Sequence, residues 1–353
     1  MFGNDRLALG VRWLALAFGL AALAGCDQYP PVDSVQQGYR GTGMASIDDP
    51  ETLAARRASA VAPAPLPAVP GGGPKAGAVY QNVQVLKDLD VAQFGRLMAS
   101  MTAWIAPDKG CTYCHAAGNF ADDSLYTKTV ARRMIQMTQH LNSRWSTHVG
   151  QTGVTCYTCH GGQHIPANTW ARDAGPTRRS HVAGNRAGQN APARGVGYTS
   201  LPFDPFERYL RNATNIKVNA PQALPTKPKH ATNIMDAEHT YGLMMHMSEG
   251  LGVNCTFCHN SRAFANWEES RPQRTTAWHG IRMVRSANQD YIQPLASVFP
   301  PNRLGPQGDP LKVNCATCHQ GLNKPLNGAQ MVKDFPELAA AEEGGHIVRR
   351  YAQ

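Results

Sequence analysis

The chain has no cysteine to spare. Nine occur in 353 residues, and eight of them fall into four C-x-x-C-H motifs, which leaves only Cys26. That excludes a fold stapled by disulfides, the usual resort of small exported domains. A long apolar run is missing too. The most hydrophobic stretch, "WLALAFGLAALAG" at residues 13–25, falls short of the ~20 residues that cross a bilayer. Strand-like patterns are sparse, so a sandwich or barrel is not indicated. Basic residues outnumber acidic ones by 34 to 25. They are dispersed, however, and no aromatic-interleaved basic stripe accompanies them, so nucleic acid is not the implied partner.

What is present is a repeat. Its copies are Cys111, Cys114 and His115; Cys156, Cys159 and His160; Cys255, Cys258 and His259; and Cys315, Cys318 and His319. In this spacing two thiols can add to the two vinyl groups of one haem, and the histidine then reaches the iron. A single copy would also suit a dithiol redox pair or half a zinc site. Four copies, each with its histidine, do not. A zinc ribbon needs two cysteine pairs per metal and no histidine fixed after each. A thioredoxin-like site needs one pair inside a βαβ pattern. The motifs predict four covalently bound haem c groups.

The N-terminus carries Arg6 and Arg12 ahead of the short apolar run, and "LAGC" closes it. This is the layout of a signal peptide at residues 1–25. Its last residues fit the lipobox of bacterial lipoproteins, which makes Cys26 the expected lipid-attachment site. Two or three acyl chains would hold the protein stably at a membrane. Export also suits covalent haem attachment, which takes place outside the cytoplasm. Residues 26–78 are rich in Pro, Ala and Gly and read as a flexible tether. A folded domain is expected over 79–338, with two motifs in 79–160, an irregular insertion at 161–199 and two motifs in 200–338. A tail without packing signal follows at 339–353.

Each motif is preceded by a helical pattern, at residues 91–105, 124–144, 236–251 and 276–295. The last three motifs also share a Val two residues before the first Cys. The unit is helix, turn, C-x-x-C-H, repeated as two pairs. The expected fold is mainly α, with little β structure and two haem-pair halves related by an approximate two-fold. Large apolar macrocycles would supply much of the core, so chain lacking haem should not fold. They also explain the charge. The formal net charge of +9 becomes +8 once the leader with Asp5, Arg6 and Arg12 is removed. Four haems bring eight propionates, for which arginine is the favoured partner.

What lies opposite each histidine decides between an electron carrier and an enzyme. Methionine raises the reduction potential, histidine lowers it, and an empty position admits substrate. The four helical patterns carry Met98 and Met101; Met134 and Met137; Met244, Met245 and Met247; and Met283. A methionine on a helix is more often core filler than ligand, but every one of these helices has at least one just upstream of a motif. Spacing alone does not choose among them.

Three segments, "YQNVQVLKDLDVAQFGRLMASMTAWIAPDKGCTYCH", "YGLMMHMSEGLGVNCTFCHN" and "PQRTTAWHGIRMVR", resemble the tetrahaem cytochrome subunit of the photosynthetic reaction centre of purple bacteria. So do "DPF" at 204–206 and "CATCHQGLNKPL" at 315–326. The match covers roughly 80–338 and leaves out the tether and the 161–199 stretch. The resemblance implies Met98 opposite His115, Met134 opposite His160 and Met244 opposite His259. For the fourth haem it implies His148, opposite His319. The internal repeat points to Met283 instead, because "GIRMVR" stands where the first half has "ARRMIQ". His140 and His279 are weaker candidates, and His164, His181, His230, His239, His246 and His346 read by default as solvent-facing.

With every iron ligated twice, no place is left for substrate. The resemblance then implies an electron-transfer subunit on the periplasmic face of the inner photosynthetic membrane. It would bind the reaction-centre membrane subunits and take electrons from a soluble cytochrome c or a high-potential iron–sulfur protein. It would pass them through haems in the spatial order 1, 2, 4, 3 to the photo-oxidised bacteriochlorophyll pair. The alternatives are a periplasmic multihaem reductase with one open haem, and a lipoprotein electron carrier for another membrane complex.

Overall fold

The computed structural model describes residues 31–37, 44–175, 193–216 and 233–340. The leader, Cys26, the middle of the 161–199 stretch and the tail from residue 341 lie outside the described residues. In chain order come a hairpin of β1 (Asp33–Gln36) and β2 (Ala45–Asp48), then α1 (Pro50–Ser59) and α2 (Ala76–Val79). The long helices α3 (Val91–Ile105) and α4 (Tyr126–Arg144) follow, with the short α5 (Ser146–Val149) and α6 (Cys156–His160). The second half holds α7 (Ile234–Leu251), α8 (Pro272–Ser286) and α9 (Cys315–His319). The fold is mainly α. Among the described residues its only sheet is the two-stranded hairpin.

The four long helices stand where the periodicity puts them, and their ends differ for local reasons. The second starts at Tyr126 rather than 124 because Asp122 Oδ1 accepts the Ser124 N–H at 2.6 Å, holding that residue in a turn. The third starts at Ile234. Asn233 and Asp236 exchange hydrogen bonds between backbone N–H and side-chain oxygen, closing a capping box two residues upstream of the expected start. The fourth starts with Pro272 at its first position, where the missing N–H costs nothing. Beyond Ser286 its path widens into a π turn at Ala287–Ile292 and tightens again at Gln293–Ser297.

Two cores lie between these helices. One joins α4, α7 and α8 through Leu141, Tyr209, Leu243, Ile281 and Tyr291. The other joins α3 to the C-terminal turns through Leu97, Trp104, Phe335 and Leu338. Each fully buried leucine or phenylalanine stabilises the fold by about 1.5–3 kcal/mol.

The stretch read as a tether is not structureless in its described part. The hairpin, α1 and the segment after it lie along the domain. Asn254 Nδ2 donates to Ala45 O at 3.0 Å, and the Thr256 hydroxyl donates to the same carbonyl. Arg271 donates to the Gln37 side chain. Asn327 Nδ2 donates to Arg57 O and Ala60 O at 2.9 and 3.0 Å. Arg96 Nη2 reaches Leu66 O at 2.8 Å. No residue of α1 is buried. Composition registered the lack of a core in this arm, but the domain's side chains satisfy its backbone carbonyls. The start of the 161–199 stretch is tied down as well: Trp170 and Lys312 exchange backbone hydrogen bonds at 2.9 and 2.7 Å.

Candidate haem centres

The four motifs fold in two ways. The first and third are 3₁₀ turns, Gly110–Tyr113 and Cys255–Phe257, with Cys111 and Cys255 exposed. The second and fourth are the five-residue helices α6 and α9, with Cys156, Cys159 and Cys315 buried. The difference is local. In "CYTCH" and "CATCH" the threonine sits at the third helical position and closes a capping box. Its hydroxyl accepts the cap residue's N–H, from Thr155 at 2.9 Å and from Asn314 at 3.0 Å. In "CTYCH" and "CTFCH" the threonine is one place earlier and that bond is unavailable.

The histidines divide the same way. His115 and His259 donate from Nδ1 to a carbonyl five residues on, Phe120 O at 3.1 Å and Phe264 O at 2.9 Å. The same phenylalanines lie near-parallel against their rings, at 4.8 and 5.4 Å. His160 and His319 donate from Nδ1 three residues on, to Gln163 O at 2.8 Å and Leu322 O at 3.0 Å. All four rings therefore keep Nε2 for a metal, with the tautomer set by the carbonyl behind. Phe120, Phe264, Gln163 and Leu322 were not singled out from the sequence. The visible signal is the Phe five places after the histidine in the first and third motifs.

The motifs also pair. Gly162 N donates to Trp104 O at 2.9 Å, and Gly321 N donates to Gly250 O at 2.8 Å. In each case the residue two past the second histidine of a half bonds the helix that precedes that half's first motif. α6 thus rests on α3, and α9 rests on α7, where a side chain at Gly250 would meet Ala316 N at 3.1 Å. Between the halves, Cys159 Sγ and Cys318 Sγ are 3.1 Å apart.

The donor chemistry fits haem c better than zinc. Burial pushes the Cys156 and Cys315 thiols up to about 12, and Cys114 and Cys258 up to about 11. Zinc binds thiolates, which this surrounding disfavours. Among the described residues no three His, Cys, Asp or Glu side chains converge as a metal cage. Desolvation lowers the pKa of His160 and His259, and that of His319 to about 4, so these rings are neutral at physiological pH.

The methionines differ in placement. Met98 is partly buried on the face of α3 that carries Thr102. That residue donates to Met98 O at 2.9 Å and stands 4.0 Å from Cys111 Sγ. Met101, Met137 and Met283 are buried among core side chains. Met134, Met244 and Met247 are partly buried against the main core. His148, on α5, crosses to the other half: its Nδ1 donates to Thr276 O on α8 at 2.9 Å. Its ring centre lies 6.0 Å from that of His319, with the planes at 72°. Two metal–imidazole bonds of about 2.0 Å, plus about 1.1 Å from each nitrogen to its ring centre, make nearly that distance. His140 is engaged elsewhere, by Trp145 Nε1 at 3.3 Å and the Ser286 hydroxyl at 3.2 Å. His279 packs edge-on to Trp278. One default reading fails: His246 is not solvent-facing but buried at 5% exposure, edge-on to Phe206.

Residues 28–339 match the family described as the photosynthetic reaction centre cytochrome C subunit. The chain belongs to this family. It is 52% identical to the photosynthetic reaction center cytochrome c subunit of Rubrivivax gelatinosus, over 95% of this chain and 91% of that one. It is 49% identical to that of Thermochromatium tepidum, over 90% and 77%. It is 40% identical to that of Roseobacter denitrificans, over 95% and 93%. Membership makes the chain a haem c protein of photosynthetic electron transfer. Among the described residues no helix is long and apolar enough to cross a membrane.

Proposed function

We propose that this chain is the tetrahaem electron conduit of a photosynthetic reaction centre. It takes electrons from a soluble cytochrome c or iron–sulfur carrier and delivers them to the photo-oxidised bacteriochlorophyll pair. Haem c supplies a reversible one-electron iron couple at each motif. The chain's residues would hold each group through two cysteines and a histidine, with Met98, Met134, Met244 and His148 as the further ligands. With two protein ligands at each iron no position would admit substrate, and the protein would act as a carrier and not an enzyme. On this reading the domain sits on the periplasmic face of the membrane, held by the reaction-centre subunits and by a lipid on Cys26.

The contact between Cys159 and Cys318, 3.1 Å between sulfurs, carries the reading. It puts the second and fourth motifs side by side. The first motif's helix rests on the second motif and the third motif's helix on the fourth. This supports a spatial order of centres 1, 2, 4, 3, with the exposed cysteines Cys111 and Cys255 at the two ends. Such a row has one end for a donor and one for an acceptor. The matching backbone bonds of the two halves support an approximate two-fold between haem pairs.

Flash excitation of photosynthetic membranes containing the protein tests the function. Re-reduction of the pigment pair should coincide with oxidation of c-type haem. Re-reduction with no absorbance change from c-type haem would overturn the proposal.

A further inference from the structure

The two halves repeat each other, yet only one receives a ligand from outside. Aligning "ARRMIQ" with "GIRMVR" sets Ala131 against Gly280. Gly280 is the ninth of fifteen residues in α8 and is buried. Glycine in a helix interior costs about 0.5–1 kcal/mol relative to alanine. Here the reason is occupied space. A Cβ at position 280 would meet His148 Cε1 at 2.5 Å, Nδ1 at 2.8 Å and Nε2 at 3.1 Å. No Cβ stands that close to another heavy atom, and here the obstacle is a whole ring rather than a flexible tip. The ring occupies the notch left by the missing side chain, with its Nδ1 bonded to Thr276 O one turn upstream.

We propose that Gly280 is the positioning residue for the sixth ligand of the fourth haem. Its missing side chain lets His148 seat against α8 at the distance from His319 that an iron between them requires. This rests on the reading of His148 as that ligand. The notch and the Thr276 carbonyl together fix the ring's tilt, and so the near-perpendicular 72° between the two imidazole planes. In the first half Ala131 stands at the equivalent place. The glycine therefore marks where the internal repeat was broken to exchange a methionine for a histidine.

The test uses the holoprotein, with Gly280→Ala compared against Gly95→Ala, a helical glycine whose Cβ would meet nothing within 4 Å. The readouts are the low-temperature spin-resonance spectrum of the oxidised haems and carbon monoxide binding to the reduced ones. Wild type should show one bis-histidine haem with the strongly anisotropic low-spin signal of crossed imidazole planes, and no carbon monoxide binding. Gly280→Ala should lose or shift that one signal and open one haem in four to carbon monoxide. Gly95→Ala should change neither. A His148→Ala background keeps the outcome readable if packing also suffers: there the added Cβ has no ring to strike, so Gly280→Ala should leave ligand binding unchanged and should not lower stability. An unchanged signal in Gly280→Ala, or the same loss of stability with and without His148, would overturn the proposal. A wild type with no bis-histidine haem would instead overturn the reading of His148.

Discussion

His246 lets a pH dependence be worked out with its sign. It sits on α7, and its Nε2 is buried without a hydrogen-bond partner. Desolvation pushes its pKa down from 6.5 to about 4. Below pH 6.5 the unfolded chain takes up a proton at this residue, while the folded chain stays neutral until pH approaches 4. The contribution of His246 to stability is therefore constant above about pH 7 and falls as the solution is acidified. At about 1.36 kcal/mol per pH unit the loss reaches about 2 kcal/mol by pH 5 and about 3 kcal/mol by pH 4. The four motif histidines and His148, being ligated on the proposed reading, would not add to this slope in the loaded protein. His246→Leu keeps the approximate volume and removes the orphaned nitrogen, so at pH 7.5 it should be neutral or slightly stabilising. Guanidinium unfolding of both holoproteins at pH 7.5 and pH 5 reads the difference. Wild type should lose about 2 kcal/mol more than the variant on acidification. Equal losses in the two proteins would refute the reasoning.

Further outcomes are expected elsewhere. Met98→Leu should open one haem to carbon monoxide, whereas Met101→Leu, a volume-conserving change in the core, should cost under about 1.5 kcal/mol and open none. Met244→Leu should behave like Met98→Leu, while Met245→Leu and Met247→Leu leave the irons closed; ligand-binding spectra distinguish them. Lys312 is fully buried and paired with Asp309. Lys312→Met should destabilise by about 3–5 kcal/mol because it leaves a buried carboxylate unpaired, and Lys312→Met with Asp309→Asn should recover much of that, as denaturant titration would show. Arg56 lies against Gly321, with Nη1 3.5 Å from its carbonyl. Arg56→Ala with Asn327→Ala should free the N-terminal arm and speed proteolysis near residues 60–74, with the haem spectra unchanged. Mass spectrometry of the mature N-terminus should find a lipid on Cys26, and Cys26→Ala should release the protein from membranes or leave the unprocessed precursor.

Reading the sequence alone went furthest where the chemistry is contiguous. C-x-x-C-H holds its whole attachment motif in five residues, so haem c attachment and the mainly helical fold were legible without a structure. Helix periodicity located α3, α4, α7 and α8 for a similar reason: 3.6-residue spacing is a local property. The threonine shift between "CTYCH" and "CYTCH" was also visible, and its consequence, a 3₁₀ turn or a capped helix, is decided within one turn of chain.

Tertiary structure decided everything that depends on which surfaces meet. Periodicity presents Met98 and Met101 equally, but only packing brings Thr102, one turn on from Met98, to Cys111 and sends Met101 inward. Composition saw the arm at 33–67 as coreless, and it could not see that Asn254, Asn327 and Arg96 reach out to its carbonyls. His148 and Thr276 are 128 residues apart in sequence, and no local pattern ties them. Their contact exists because α5 lies across α8 where Gly280 leaves a notch, a coincidence of two surfaces that only the folded chain brings together.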